Sequence, residues 1–498
     1  MTVKRQKKPR KPLIINAFDM ATPGLQSPGL WKHPKDRSRD YNTIEYWVHL
    51  AKLLEKGKFN ALFIADVLGP YDVYNGPRNL TAAAKAGAQW PINEPTAVVS
   101  AMAAATKNLS FAVTSSTISE APYHFARRLA TLDHLTRGRV GWNIVSSYLD
   151  TASRNLLNGE PLPPHDERYD KAQEYLEVIY QLFLSSWADD AVKLDTEKGI
   201  FADPERIREI NYNGKYFKVP GPFISEPNPY QRIPVILQAG SSSKGLEYAA
   251  KNAEAVFLSG PTLGGLKSQI EKLNALIKKF GRNPDDVKKV KLATVIVAPT
   301  HDEAIEKFHE YKKYADTEGA QALFGGWTGI DLGDYDWDQE LDQVESNAVR
   351  SMAEMWTKPF PGDPPDLKKT RQYIAEKVSV GGSGVLFVGS PTEIADEIEN
   401  WVDATGVDGF NFTYAITPGT FEDIVELLIP ELQRRGLVWD DYPKEELTFR
   451  ENLYGIEGEE PTYLKPDHPA YNLRWRNEES KQEFEEKLSK ALKERFGK

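Results

Sequence analysis

From Pro234 to Ala250 the chain reads PVILQAGSSSKGLEYAA. The apolar run Val235–Gln238 is typical of a short buried strand, and the small residues after it predict a turn that opens into a helix. Strand, turn and helix in this order form the repeating unit of α/β folds. The stretch therefore predicts parallel strands joined by helices, and the rest of the chain repeats the pattern.

The turn in this stretch also has the composition of an anion site. The free backbone N–H groups of a helix N-terminus point outward, and the helix dipole adds positive potential. Gly240 allows close approach of the backbone, and Ser241, Ser242 and Ser243 add hydroxyl donors. We expect one phosphate to bind here, such as that of FMN or of a sugar phosphate. The alternative is a helix that the serines merely cap.

Seven further short apolar runs alternate with helical patterns along the chain. Because parallel strands joined by helices have right-handed crossovers, this alternation predicts a (β/α)8 TIM barrel. A doubly wound open sheet is the alternative. The eight predicted strands are Leu13–Phe18, Ala61–Ala65, Leu109–Thr114, Val140–Val145, Val235–Gln238, Ala255–Leu258, Val290–Val297 and Gly409–Tyr414.

The chain has 498 residues, whereas a plain barrel needs about 250. An Asn213-Gly214 pair predicts a hairpin in one of the additional segments, and a later segment is aromatic and rich in Gly and Pro, as in a lid or mobile loop. The expected parts are a basic flexible tail at 1–12, the barrel at 13–455 with insertions near 189–229 and 320–378, and a C-terminal extension at 456–498.

The composition excludes several classes of protein. There is no cysteine, so disulfides, thiol catalysis and cysteine-ligated metals are absent. A net charge of -10 argues against general binding to nucleic acid or to anionic membranes. No apolar run approaches the roughly 20 residues of a membrane span, and none follows the basic N-terminus as in a secretory signal. We therefore expect a cytoplasmic protein, and the spacing of the histidines predicts no metal site.

Polar residues follow several of the predicted strands. Asp66, Thr114, Asn143 and Ser241 lie at carboxyl ends of strands, together with Phe18. These ends converge on one mouth of a barrel, so they predict a hydrogen-bonding pocket around the phosphate site. Each polar residue also has a structural alternative: a chain cap or ion-pair partner for the Asp, a β-branched strand residue for the Thr, and a partner of buried backbone for the Asn.

His165 and Tyr169 are four residues apart in PPHDERYDKAQE. If a helix begins near His165, both side chains lie on one face of its first turns. Either side chain can hydrogen-bond a phosphate, and capping with a packed Tyr is the alternative. No GxGxxG fingerprint follows a strand, which argues against a nicotinamide dinucleotide site.

Several motifs of the chain resemble one protein family. It is the nitrilotriacetate monooxygenase and dibenzothiophene-sulfone monooxygenase branch of the bacterial luciferase-like flavin-dependent monooxygenases. The resemblance extends over about Leu13 to Gly455. It rests on NAFDM (16–20), GLW (29–31), FNALFIADVLGPYDVYNG (59–76), ATLDHLTRGRVGWNIVSS (130–147), HDERY (165–169), NGKYFKVPGP (213–222), QAGSS (238–242) and PELQRRGL (430–437).

The resemblance implies a barrel that uses reduced FMN and molecular oxygen to oxygenate a small organic substrate through a flavin hydroperoxide. A separate NAD(P)H:flavin reductase would supply the reduced FMN, and the barrel would form a dimer or tetramer. The alternatives are a deazaflavin-dependent oxidoreductase of the same superfamily and a non-catalytic flavin-binding barrel.

By the same resemblance, two residues would line the isoalloxazine, namely Asn143 and Phe18, and His165 is also a candidate for proton transfer. The FMN-binding positions carried over from the motifs are Asp66, Thr114, His165, Tyr169, Ser241 and Ser242.

Overall fold

The computed structural model describes residues 11–240, 242–341, 350–357 and 363–496. Eight parallel strands form a closed barrel in which each strand pairs with the next and the last returns to the first. The predicted TIM barrel is confirmed, and closure excludes the open doubly wound sheet. The strands are β1 Ile14–Met20, β2 Ala61–Ala65, β3 Ser110–Ser116, β4 Val140–Val145, β5 Val235–Gln238, β6 Ala255–Leu258, β7 Lys288–Val297 and β8 Gly409–Thr413.

A further strand, Val385–Gly389, pairs with the second half of β7, from Ala293 to Val297. This strand is not among the eight that the sequence predicts. The strand forms because β7 has ten residues whereas its neighbour β6 has four, which leaves the upper part of one β7 edge open for pairing.

Helices surround the barrel, and several of them begin at a capping side chain. In the first long helix, Thr43 accepts a hydrogen bond from the Tyr46 N–H, and Trp47, Leu50 and Leu54 form a fully buried face. The helices are Ile44–Lys56, Thr81–Ala86, Val99–Ala104, Pro122–Leu135, Asp150–Leu156, His165–Ser185, Ser243–Asn252, Leu263–Lys279, His301–Lys312, Thr317–Thr328, Arg350–Thr357, Arg371–Ser379, Pro391–Thr405, Gly419–Asp423, Ile424–Leu428 (a π-helical turn), Ile429–Arg434, Phe449–Tyr454 and Lys481–Phe496.

The first expected insertion contains two antiparallel hairpins. The strands Tyr212–Asn213 and Lys218–Val219 pair as the Asn-Gly signal predicted. The other hairpin, Val192–Asp195 with Ile200–Ala202, was not predicted. Its strands are short, and the residues there that point to solvent are mixed in polarity, so no clear alternation marks them in the sequence.

The second expected insertion is mostly helical where it is described, and residues 342–349 and 358–362 lie outside the described residues. Its first helix, Thr317–Thr328, contains Gly325 and Gly326, which argue against a helix in the sequence. A Cβ at Gly326 would lie 1.9 Å from Cδ1 of Tyr71. The glycine is therefore present because the loop after β2 packs directly on the helix backbone.

The C-terminal segment folds back onto the barrel. Trp475 is fully buried and stacks on Phe484, with ring centroids 5.0 Å apart and an interplanar angle of 4°. Arg474 and Arg232 each donate to one oxygen of Asp189, which ties the segment to the first insertion. In the parts of the chain that the structure describes, no helix has the length and apolar character needed to cross a membrane.

Candidate active site

A cavity of about 230 Å³ lies at the carboxyl ends of the barrel strands. Residues that are as far apart in the chain as Phe18 and Ser242 meet there. Ser241, which was also predicted for this site, lies outside the described residues. The cavity is lined by every other predicted site residue: Phe18, Asp66, Thr114, Asn143, His165, Tyr169 and Ser242.

One wall of the cavity is the turn after β5. Ser242 caps the helix Ser243–Asn252, because its hydroxyl accepts a hydrogen bond of 3.1 Å from the Gly245 N–H. The Gly240 N–H donates to Oε1 of Gln238 at 2.8 Å, and a Cβ at Gly240 would lie 2.2 Å from Nε2 of the same side chain. The capping interpretation of the serine is thus confirmed, and the capping residue also borders the cavity.

The helix His165–Ser185, the second after β4, begins at His165, so His165 and Tyr169 share its first turns. Their ring centroids are 5.2 Å apart, and Nδ1 of His165 is 2.7 Å from Oδ1 of Asp166. The Tyr169 hydroxyl is hydrogen-bonded to the side chains of Ser242 and Ser146. Burial raises the pKa of Tyr169, which keeps the phenol neutral and able to donate a hydrogen bond.

Arg168 is a cavity residue that sequence reasoning missed. Its side chain lines the same wall, is 4% exposed, and donates from Nη1 to the Pro163 carbonyl at 2.8 Å. It lies three residues after His165, within the HDERY motif, so the helical spacing that joined His165 to Tyr169 would also have found it. Arg168 therefore adds a buried positive charge to the lining of the cavity.

The floor of the cavity is aromatic, with a polar group beside it. Phe18 stacks on Phe63 at 5.0 Å, and Phe63 stacks on Phe257 at 4.3 Å. Nδ2 of Asn143 donates to the Thr114 hydroxyl at 2.9 Å. Oδ1 of Asn143 is buried and has no hydrogen-bond partner among the described residues. An unpaired buried acceptor costs free energy, which a ligand N–H group at this position would recover.

Asp66 directly follows β2 and lines the cavity. Burial, together with repulsion from Glu94, raises the pKa of Asp66 to about 7, although a hydrogen bond from the Val67 N–H partly opposes the shift. Among the described residues no Lys or Arg forms an ion pair with Asp66, so the ion-pair alternative is not supported. A carboxyl group with this pKa changes its charge near neutral pH.

The remaining wall consists of side chains that the sequence did not identify as site residues. The Tyr71 hydroxyl contacts Oε1 of Gln89 at 2.7 Å, the Tyr148 hydroxyl at 2.6 Å and Nε1 of Trp327 at 3.2 Å. Tyr71 belongs to the Tyr- and Gly-rich loop after β2, a composition typical of a binding loop. Trp327 comes from the second insertion, and no local signal predicts that it reaches the cavity.

A metal ion requires a grouping of several ligand side chains. Within the described residues, no three His, Cys, Asp or Glu side chains are grouped so that they could hold a metal ion.

Comparison with known proteins identifies relatives along nearly the whole chain. A family model described as luciferase-like monooxygenase matches residues 23–409. The chain is 43% identical over 465 residues to dimethyl-sulfide monooxygenase of Hyphomicrobium sulfonivorans, covering 93% of this chain and 94% of the relative. It is 45% identical over 469 residues to long-chain alkane monooxygenase of Geobacillus thermodenitrificans, covering 94% and 98%, respectively.

Among solved structures, riboflavin lyase with modified FMN and riboflavin aligns with a TM-score of 0.85 and 32% identity, covering 93% of this chain and all of that one. Members of the branch that the motifs resemble are relatives as well. Dibenzothiophene-sulfone monooxygenase of Rhodococcus erythropolis is 34% identical over 435 residues, and nitrilotriacetate monooxygenase component A of Aminobacter aminovorans is 31% identical over 443 residues.

Proposed function

The chain belongs to the luciferase-like monooxygenase family, and from this premise we propose that it is the oxygenating component of a two-component, FMN-dependent system. The chain is a monooxygenase, and therefore an oxidoreductase. What we propose beyond this is the cofactor, its binding residues, the source of the electrons and the type of substrate.

The observation that carries the proposal is the convergence of every described candidate residue on one cavity. One group of cavity residues suits the phosphate of FMN, and another suits its isoalloxazine ring. The turn after β5 joins a helix N-terminus to the hydroxyls of Tyr169 and Ser242 and to the Arg168 guanidinium, a donor set that suits a phosphate. The unpaired Oδ1 of Asn143 and the ring of Phe18 suit the polar edge and the flat face of an isoalloxazine.

Reduced FMN supplies the electrons that activate O2, of which one atom enters the substrate and the other leaves as water. The chain's own residues bind and orient the cofactor and exclude water from the site. Thr114 fixes the amide of Asn143, and the aromatic floor keeps water from the reacting centre. We assign Asp66 to flavin binding, and His165, buried at the phosphate end, to flavin binding with a second role as proton carrier.

We propose that a separate NAD(P)H:flavin reductase delivers the reduced FMN. No nucleotide-binding fingerprint occurs in the chain, and the phosphate-binding turn is assigned to the flavin. The substrate is a small organic molecule, since relatives act on dimethyl sulfide and long-chain alkanes and one wall of the cavity is aromatic. We further propose a cytoplasmic homo-oligomer in which 1–12 is a tail and 456–498 an extension of the 13–455 barrel.

The test couples NADH consumption to product formation under ¹⁸O2. The purified chain receives FMN, NADH and a panel of small organic substrates that includes sulfides, alkanes and alcohols, with and without a flavin reductase from an unrelated source. We expect negligible NADH oxidation without the reductase and ¹⁸O-labelled product with it. Product from NADH without any reductase would overturn the two-component assignment, and hydride transfer from a reduced deazaflavin without oxygen uptake would support the alternative oxidoreductase.

A further inference from the structure

The hydrogen bonds around Tyr71 have a defined direction. Gln89 fixes this direction, because its Nε2 lies 2.6 Å from the Leu25 carbonyl oxygen. A carbonyl oxygen only accepts, so the amide nitrogen must face Leu25. The amide oxygen of Gln89 therefore faces the Tyr71 hydroxyl at 2.7 Å and can only accept from it.

The single proton of Tyr71 is thus committed to Gln89. Nε1 of Trp327 is a donor without acceptor capacity, so at 3.2 Å it donates to the Tyr71 oxygen. The hydroxyl oxygens of Tyr71 and Tyr148 are 2.6 Å apart, a distance that requires a proton between them. Only Tyr148 can supply that proton. The chain of hydrogen bonds runs from Tyr148 to Tyr71, to Gln89 and to the backbone of Leu25.

This direction determines what the cavity offers to a ligand. Tyr71 is 1% exposed, and its oxygen already makes one donated and two accepted hydrogen bonds. Tyr148 lines the cavity and is only half-buried. Because its proton points inward to Tyr71, its hydroxyl presents an acceptor and no donor to a ligand.

We propose that Tyr148 is a specificity-determining residue that selects substrates carrying a hydrogen-bond donor, such as a hydroxyl, thiol or amine, on an otherwise apolar molecule. The inference rests on the proposed function, because it assigns this wall of the cavity to the substrate and the opposite wall to FMN. Met20, Val67 and the indole of Trp327 provide the apolar surroundings. A ligand that presents only an acceptor to Tyr148 leaves two oxygen lone-pair regions opposed, without a proton between them.

The experiment compares 1-hexanol with methyl pentyl ether, isomers that differ in having a donor. Ligand-observed NMR titrations measure both dissociation constants, on the protein alone and on the protein saturated with FMN. We expect the wild-type chain to bind the alcohol about tenfold more tightly than the ether, the factor expected for one neutral hydrogen bond. Equal affinities, or failure of 1-hexanol to bind, would overturn the inference.

Variants test the direction of the chain. Tyr71→Phe frees the Tyr148 proton for a ligand, so ether binding should strengthen and the preference should fall to about parity. Tyr148→Phe should weaken the alcohol alone. Trp327→Phe removes a donor to Tyr71 without changing the direction. The alcohol should therefore remain the tighter ligand, even though the change of this cavity residue alters both affinities. If Tyr71→Phe does not fold, Gln89→Leu removes the acceptor of the Tyr71 proton. Tyr71 can then donate to Tyr148, which leaves the Tyr148 proton for a ligand, so the preference should also fall. An unchanged preference in both variants would contradict the proposal.

Different measurements test the proposed function and the role of Tyr148. FMN affinity and reductase-dependent oxygenation test the flavin assignment, whereas the preference for the alcohol is measured on the protein alone. A chain that binds FMN but shows no preference between the two probes refutes only the role of Tyr148. A chain that prefers the alcohol but binds no FMN refutes the proposed function and leaves the donor-selecting wall in place.

Discussion

Asn143 and Thr114 are joined by a hydrogen bond of 2.9 Å, from Nδ2 of the amide to the hydroxyl, across the carboxyl ends of β4 and β3. The two residues are direct partners in the strand register, so their side chains point to the same face of the sheet. The bond orients the amide so that Oδ1 remains buried and unpaired in the cavity wall. A ligand N–H group that reached this amide would therefore find an acceptor without a competing partner.

Asn143→Ala should lower the affinity for FMN and for riboflavin by the same factor, about tenfold. The reason is that the proposed partner of Oδ1 lies on the isoalloxazine, which both flavins share. Fluorescence titration of each flavin measures the two ratios. A loss confined to FMN would place Asn143 near the phosphate instead.

Ser242→Ala should weaken FMN binding while riboflavin binding changes little, because only FMN carries the phosphate. The same change removes a helix cap and should cost about 1 kcal/mol of stability. Ser390→Ala is the matched control, since Ser390 caps the helix Pro391–Thr405 and does not line the cavity. Its thermal midpoint should fall by a similar amount with unchanged flavin affinity; equal losses of both flavins in Ser242→Ala would refute the phosphate assignment.

Asp66→Asn should raise stability at pH 8 while it lowers flavin affinity. The folded-state pKa of Asp66 is about 7, above the ordinary value of 3.8, so its stabilising contribution is complete below about pH 4 and is lost as the pH rises through 7. The neutral amide of the Asn side chain does not titrate, so the variant does not lose this stability as the pH rises. The variant should therefore gain ~2 kcal/mol over the wild-type chain between pH 5 and pH 8.

Thermal midpoints of the ligand-free proteins at several pH values test this sign. Glu94→Gln provides the companion variant, because the charge of Glu94 helps to raise the pKa of Asp66. In that variant the folded-state pKa of Asp66 should be lower, so the loss of stability should be smaller and complete at a lower pH. A pH-independent difference between Asp66→Asn and the wild-type chain would show that Asp66 does not titrate in this range.

Gly326→Ala should destabilise the protein, although alanine favours a helix more than glycine does. The new Cβ would lie 1.9 Å from the Tyr71 ring, so either the loop after β2 or the helix Thr317–Thr328 must move. Gly325→Ala is the control in the same helix, where the nearest atom is 3.3 Å away. Thermal midpoints should fall clearly for the first variant and much less for the second, and flavin affinity should be retained in both.

Trp475→Ala should cost roughly 3–5 kcal/mol of stability, as for other buried tryptophans, with no change in flavin affinity. Trp475 is fully buried against Phe484 in the C-terminal segment, outside the cavity. Trp337→Ala serves as the control, because Trp337 is 43% exposed. Similar denaturation midpoints for the two variants would mean that the C-terminal segment contributes little to the stability of the barrel.

The strands were predictable because each is a short apolar run that is buried in the barrel. The predicted and observed bounds differ by two residues or fewer at either end, as for Leu13–Phe18 against Ile14–Met20. The cavity residues were predictable for a related reason. Asp66, Thr114 and Asn143 come directly at the ends of such runs, and the closed barrel brings these ends together.

Other features depend on contacts between distant parts of the chain. The helix Thr317–Thr328 was obscured by Gly326, which is there for its contact with Tyr71 and not for any local preference. Trp327 reaches the cavity only because this helix packs on the loop after β2. The direction of the bonds from Tyr148 to Gln89 follows from three side chains whose relative positions no local pattern encodes.

The barrel, its order of strands and the turn after β5 follow from local patterns, since hydrophobic periodicity and turn residues act within a few positions of one another. The protonation of Asp66, the unpaired oxygen of Asn143 and the acceptor at Tyr148 depend on which distant groups are brought within hydrogen-bond distance and on how much water is excluded. Burial and hydrogen-bond direction are properties of the packed chain. For this reason the residues at the proposed cofactor end of the cavity were predictable from motifs, whereas the hydrogen-bonding character of the wall around Tyr71 and Tyr148 depends on the contact between the barrel loops and the second insertion.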